Sequence, residues 1–264
     1  MRALIAGNGD LPGLVLKAGT APTHVFALEG VSVSLPSEPE RFRLETLGTL
    51  LATLTKRGVT ELCLAGAITR PSIDPTLIDE ATRPLVPVLQ QALMQGDDGA
   101  LRIILNIFEA QGIRILAAHD MVPDLLPPEG VLTSVLPSEP HQTDAVRGQH
   151  IVDAMGAADI GQACVVAGGQ ALVVEGMFGT EWMLNSLKNR PAQPRGGILY
   201  KAPKPDQDRR VDLPAVGLDT VHQAADAGLE GIVLEAGGVM VLNREAVIKA
   251  ADAAGLFLWV KARE

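Results

Sequence analysis

The chain has 264 residues, 47% of them hydrophobic and only 3% aromatic, and a formal net charge of -9. This composition excludes a largely disordered chain and a broad nucleic-acid-binding surface. It calls for a core of Ala, Val, Leu and Ile, as in buried parallel strands.

"RALIA" is a short apolar run that ends in "GNGD", and "LPGLVLKAG" follows with Pro12 placed for a first helical turn. "HVFALEG" reads as a second strand and residues 40–57 as a helix. "ELCLAG" is a third strand, residues 83–111 are two helices divided by "GDDG", and "GIRILAA" is a fourth strand. Strands alternating with helices imply right-handed crossovers and a mostly parallel sheet. The proline-rich stretch from Val122 to Gln142 reads as the connection between two halves.

Beyond it, "HQTDAVRGQHIVDAMGAAD" is a helix, and "QACVVAGGQALVVEG" is two strands joined by a Gly-Gly turn. "GTEWMLNSLKNR" is a helix with Thr180 near its N-cap, and "GGILYKA" is a strand. "LDTVHQAADAG" is a helix with Asp219 as N-cap candidate. "GIVLEAG" and "GVMVLN" are strands, "REAVIKAADAAG" is a helix and "LFLWVKA" a closing strand. The expected fold class is α/β with two α/β domains. Residues 1–130 form a Rossmann-like domain with a mostly parallel sheet. Residues 131–264 form a second α/β domain with a mixed sheet.

"MRALIAGNGD" carries too short an apolar run for a secretory signal, and "ACVVAGGQALVV" is too short to cross a bilayer. A cytoplasmic location is expected, with peripheral contact to the inner membrane and a homodimer left open. Cys63 and Cys164 lie in apolar runs and are expected as buried core residues, not as ligands or a disulfide.

Four segments could carry chemistry. A strand followed by "GNGDLPG" is a geometry for cradling phosphate, because glycines let the backbone approach an anion closely. The dinucleotide fingerprint wants a third glycine where Pro12 stands, while Glu29 sits where a ribose-binding acid would be. A phosphate turn, a plain tight turn and NAD binding all remain open at this point. "AGAITRPSID" offers Arg70 at the carboxyl edge of the same sheet. "GDDG" at 96–99 is a helix cap or a weak metal site, and no histidine pattern suits zinc.

"LYKAPKPDQDRRVDLPAVG" is the densest segment. It sets Lys201, Lys204, Arg209 and Arg210 beside Asp206, Asp208 and Asp212, with prolines that keep the backbone extended. Cleaving a phosphoanhydride needs cations against the diphosphate and a carboxylate to orient water or hold a divalent ion. A solvated loop would show the same charges.

Taken in order, "GNGDLP", "AGAITRP", "GDD", "DIGQ", "EGMFGT" and "LYKAPKPDQDRRVDLPAVG" resemble the LpxI-type UDP-2,3-diacylglucosamine pyrophosphatases of lipid A synthesis. The resemblance runs from Leu4 to about Trp259, and it implies that the domain at 131–264 is catalytic and that the ligand cleft lies between the two domains. It implies hydrolysis of UDP-2,3-diacylglucosamine to 2,3-diacylglucosamine 1-phosphate (lipid X) and UMP, with Mg²⁺ or another divalent cation. By the same matching, Asp212 of the D-L-P element, Lys204 and Arg210 are catalytic, and Asp208 and Asp212 hold the metal. Gly7, Asn8, Gly9, Arg70, Thr180, Lys201 and Gln207 contact substrate. Two positions depart from the family pattern: Asn8 stands where a glycine is common, and Glu181 where an aspartate is. The rival readings are a non-catalytic nucleotide or lipid-phosphate binder and an NAD-dependent oxidoreductase.

Overall fold

The computed structural model describes all residues except 19–21, 70, 192–195, 206 and 264, and for residue 97 it describes the backbone only. Contacts divide the chain into two units. The first holds Met1–Pro123 and Asp208–Asp212; the second holds Asp124–Gln207 and Leu213–Glu264.

The first unit contains β1 (Arg2–Ala6), α1 (Leu11–Lys17), β2 (His24–Leu28), β3 (Glu40–Phe42), α2 (Leu47–Lys56), β4 (Glu61–Ala65), α3 (Val86–Leu93), α4 (Asp97–Glu109), β5 (Arg114–Leu116) and α5 (Ala118–Met121). Its sheet runs β3-β2-β1-β4-β5, and every pairing is parallel. Such a sheet needs cover on both faces. Leu47, Leu50, Leu51 and Leu54 of α2 form one helical stripe and pack with Leu105 and Phe108 of α4 onto Ala3, Ile5, Phe26 and Leu62. Leu54 is fully enclosed, and truncating it to Ala would cost about 2–5 kcal/mol. Helices α1 and α5 pack against each other and against β4. Cys63 is buried, and burial pushes its thiol up to about 12, as a core position requires.

Residues 40–57, expected as one helix, begin instead as the edge strand β3. Phe26, Ala27 and Leu28 pair with Glu40, Arg41 and Phe42, and the Arg41 guanidinium donates to the carbonyls of Leu28 and Val31. A long-range pairing outweighs the local helical pattern there.

The second unit contains β6 (Gly130–Val131), α6 (Glu139–Ala157), β7 (Ala163–Ala167), β8 (Gln170–Val174), α7 (Gly179–Ser186), β9 (Ile198–Lys201), β10 (Ala215–Val216), α8 (Leu218–Asp226), β11 (Gly231–Glu235), β12 (Met240–Val241), α9 (Arg244–Ala254) and β13 (Phe257–Lys261). Six strands form a mixed sheet in the order β6-β13-β11-β9-β7-β8, with β9, β11 and β13 parallel. The Gly-Gly hairpin appears as β7 and β8, antiparallel. On one face Ala145 and Val152 of α6 meet Cys164, Tyr200 and Phe257. On the other, α7, α8 and α9 bring Leu184, Val221 and Val247 onto Leu199, Ile232 and Leu258. β12 leaves the main sheet and pairs with β10 in a separate two-stranded sheet. The run "GIVLEAGGVMVL" contributes Ile232, Leu234, Val239 and Val241 to that second cluster. The cap of α8 is Gly217, and Asp219 falls in its first turn.

Candidate active site

Gly7, Asn8 and Gly9 follow β1 at the carboxyl edge of the first sheet. There the strand order reverses, because β2 lies on one side of β1 and β4 on the other. Open α/β sheets take ligands at such a point. The Gly7 N–H donates to Ala65 O at 2.7 Å, and Asn8 N–H to Ala67 O at 2.8 Å. The Gly9 N–H donates to the Asn8 side-chain oxygen at 2.8 Å. The three N–H groups that a phosphate cradle would use are therefore committed within the protein. The Asn8 carbonyl in turn accepts from the Ala67 N–H at 2.9 Å, and Asn8, Gly9 and Asp10 are exposed at the turn.

Two recesses lie along this edge. A polar one of about 480 Å³ is lined by Asn8, Glu29, Ser32, Arg43, Glu45 and Thr69, among others. Burial alone would raise the Glu45 carboxyl, but the Asp74 backbone N–H at 2.8 Å and the Arg43 guanidinium outweigh it, and Glu45 ionises below its ordinary range. The other recess is an apolar cavity of about 430 Å³. Ile5 and Leu64 of the sheet, Leu89 and Ala92 of α3, and Ile104 and Phe108 of α4 line it. Leu28, Leu44, Ala67 and Pro71 border both recesses. Among the described residues, the ionisable side chain in the wall of the apolar cavity is Asp212.

The segment 208–212 is fixed from both sides of its length. Val211 packs onto the core of the first unit. The N–H groups of Val211 and Asp212 both donate to Asp208 O, at 3.1 and 3.0 Å, closing one turn. Arg210 forks onto Asp208, with Nε 3.0 Å from Oδ1 and Nη2 2.7 Å from Oδ2, and its Nη1 donates to Glu109 Oε1 at 2.6 Å. The Arg210 guanidinium beside Asp208 holds that carboxyl below its ordinary range. Two carboxylates raise the affinity of Arg210 for its proton.

The remaining sequence candidates belong to the second unit. Lys204 Nζ donates to Asp159 at 2.7 Å, and its N–H donates to the Gln207 side chain, which in turn donates to Gln162 at 3.2 Å. Lys201, the last residue of β9, is buried and donates to Thr180 Oγ1 at 2.8 Å. The Thr180 hydroxyl donates to Glu175 at 2.7 Å. Burial drives the Lys201 ammonium below its ordinary value, and Glu175 opposes the fall. Arg70 and Asp206 lie outside the described residues.

The structure thus gathers Gly7, Asn8, Gly9, Asp208, Arg210 and Asp212 in the first unit, and Thr180, Lys201, Lys204 and Gln207 in the second. Sequence reasoning missed Glu109, Asp159 and Glu175. Glu175 opens the string "EGMFGT" and Asp159 opens "DIGQ", so both carried a signal; a glutamate late in α4 carried none. No group of three or more His, Cys, Asp or Glu able to hold a metal ion occurs among the described residues.

The chain matches the LpxI N-terminal domain family over residues 1–125 and the LpxI C-terminal domain family over residues 128–259. It is 37% identical over 266 aligned residues to the UDP-2,3-diacylglucosamine pyrophosphatase LpxI of Caulobacter vibrioides, covering 97% of this chain and 95% of that protein. With both domain families matched in order across nearly its whole length, the chain belongs to the LpxI family.

Proposed function

We propose that this protein hydrolyses the diphosphate of UDP-2,3-diacylglucosamine, with water attacking phosphorus, the anhydride P–O bond breaking, and UMP and 2,3-diacylglucosamine 1-phosphate leaving. One observation carries the reading: Asp212 stands in the wall of an apolar cavity that shares a border with a polar recess. A ligand suited to both is an amphiphile, with acyl chain in one and a polar sugar nucleotide in the other. In this reading the carboxylate in the wall of the apolar cavity serves the bond that joins the two halves of the ligand. The Caulobacter relative is named for the same substrate.

In this reading Asp212 orients the attacking water and takes its proton. Lys204 offsets negative charge on the anhydride, and Gln207 holds the Lys204 backbone. Asp208 and Arg210 fix the turn that presents Asp212. A divalent cation belongs to the proposal. Asp208 fits poorly as its ligand, since both of its oxygens accept from Arg210. Asp212 fits better, because Mg²⁺ commonly takes one protein carboxylate with waters and substrate oxygens. When bound, the ion would neutralise phosphate charge. No helix among the described residues is long and apolar enough to cross a membrane.

The test is UMP release from UDP-2,3-diacylglucosamine with Mg²⁺ and with EDTA, for the native chain and for Asp212→Ala. The expected result is Mg²⁺-dependent release that disappears in a variant that still unfolds cooperatively. Near-native turnover by Asp212→Ala sinks the assignment. Absence of release by the native chain returns the field to a binding protein, and NADH titration separates off the oxidoreductase.

A further inference from the structure

We propose that Glu175 is a positioning residue for the hydrolysis: through the Thr180 hydroxyl it holds the Lys201 ammonium behind the threonine, and Thr180 is the group that meets the substrate's phosphate. The inference rests on the function proposed above.

Three elements meet here. Glu175 follows β8, and its N–H donates to Ala163 O at 2.9 Å. Thr180 is the second residue of α7, and Lys201 ends β9. Gly161 makes the approach of Glu175 tight, for a Cβ at that position would lie 2.3 Å from Glu175 O. The hydrogen bonds run in one direction, from Lys201 Nζ to Thr180 Oγ1 and from Thr180 Oγ1 to Glu175 Oε2. Thr180 is half-buried, whereas Lys201 is 6% exposed and Glu175 7%. The lysine is thus poorly placed to touch a ligand itself, and the hydroxyl in front of it is better placed. A cation donating into that oxygen strengthens its O–H as a donor. When phosphate arrives, the hydroxyl exchanges its Glu175 acceptor for a phosphate oxygen.

The ammonium needs a counter-charge, since a buried lysine otherwise loses its proton. The residues opposite Lys201 on the flanking strands are Ala163 of β7 and Leu234 of β11, both uncharged. Glu235, the next residue of β11, binds Arg263. Among the described residues, Glu175 is the charge that acts on Lys201.

Glu175→Gln keeps an acceptor for Thr180 and removes the charge. The form of Lys201 that works is protonated, so activity is full below its pKa and is lost as pH rises through it. Removing Glu175 lowers that pKa. The expected result is a loss in kcat/KM of about tenfold or more at alkaline pH, with recovery toward the native value as pH is lowered. The alkaline limb of the profile moves down, and Glu175→Asp moves it back. A loss of equal size at every pH marks a merely structural role and overturns the proposal. A second readout needs no substrate: the side-chain carbon shift of Lys201, assigned with Lys201→Arg, is followed through a pH titration. Unchanged ionisation of Lys201 in Glu175→Gln also overturns it. If the native chain releases no UMP, it is the function proposed above that has failed, and the titration still decides the Glu175–Lys201 coupling.

Discussion

Asn8 and Ala67 exchange two main-chain hydrogen bonds, 2.8 and 2.9 Å long, that tie the end of β1 to the end of β4. The crossing is possible because Gly7 and Gly66 lie face to face. A Cβ on Gly7 would fall 2.6 Å from Ala67 O and from the Gly66 carbonyl, and Gly66 has φ +94°. Gly7→Ala is therefore expected to lower stability by about 1–3 kcal/mol, the cost of overpacking against backbone that cannot yield. Gly9→Ala meets open space and faces only the strain of φ +97°, about 1–2 kcal/mol. Urea denaturation of the two variants checks the order. A Gly7→Ala protein as stable as the native one would mean the edge can relax.

Asp208 and Arg210 make a second prediction. Their fork, with Glu109 on the third nitrogen, fixes the turn that carries Asp212. The groups are partly exposed, so the contribution to global stability is modest, about 1 kcal/mol. The effect on catalysis is larger, since a small misplacement of a reacting group can cost about 100-fold. Arg210→Lys should not rescue, because an ammonium cannot reproduce the planar fork. UMP-release kinetics beside the urea midpoint measure both. A variant with native kcat would show that the turn holds itself.

How far the sequence led is clear from these same residues. β1, β2, β4 and β7 were visible as apolar runs ended by glycine, because burial on both faces leaves a continuous signal, whereas the edge strand β8 was visible through the Gly-Gly turn before it. Asp212 was visible through its string. β3 was not, since three residues at a sheet edge are specified by their partner β2 rather than by any pattern of their own. Nor was the engagement of the Gly7 and Asn8 N–H groups, which depends on Ala65 and Ala67 some sixty residues away. Arg210 looked like a cation for substrate, but Glu109, about a hundred residues upstream, decides what its guanidinium faces.

The Asp208 carboxyl, depressed by Arg210 below its ordinary 3.8, yields a pH prediction. A carboxyl whose folded pKa is lower than its unfolded one adds stability that is complete above the unfolded value. That stability fades as pH falls through the folded one. The urea midpoint should therefore fall as the solution is taken below about pH 4. Asp208→Asn should start lower and show a shallower acid slope. Parallel slopes in the two proteins would remove Asp208 from the acid-sensitive set.

The apolar cavity makes the most selective prediction. If it receives an acyl chain, narrowing it must harm long-chain substrates more than short ones, because chemistry at Asp212 is untouched. Ala100 of α4 lines the cavity and is half-buried, so Ala100→Phe can place its ring in the empty volume. Each methylene kept from burial forfeits about 0.8 kcal/mol, so excluding four of them lowers kcat/KM by about 200-fold. A substrate analogue with short acyl chains should lose little. The variant's thermal midpoint should hold or rise, since filling a cavity restores contacts. Ala92→Phe, from the buried face of α3, tests the same space from another wall. Equal losses on long and short substrates would place the acyl chains elsewhere and leave the cavity as unfilled core.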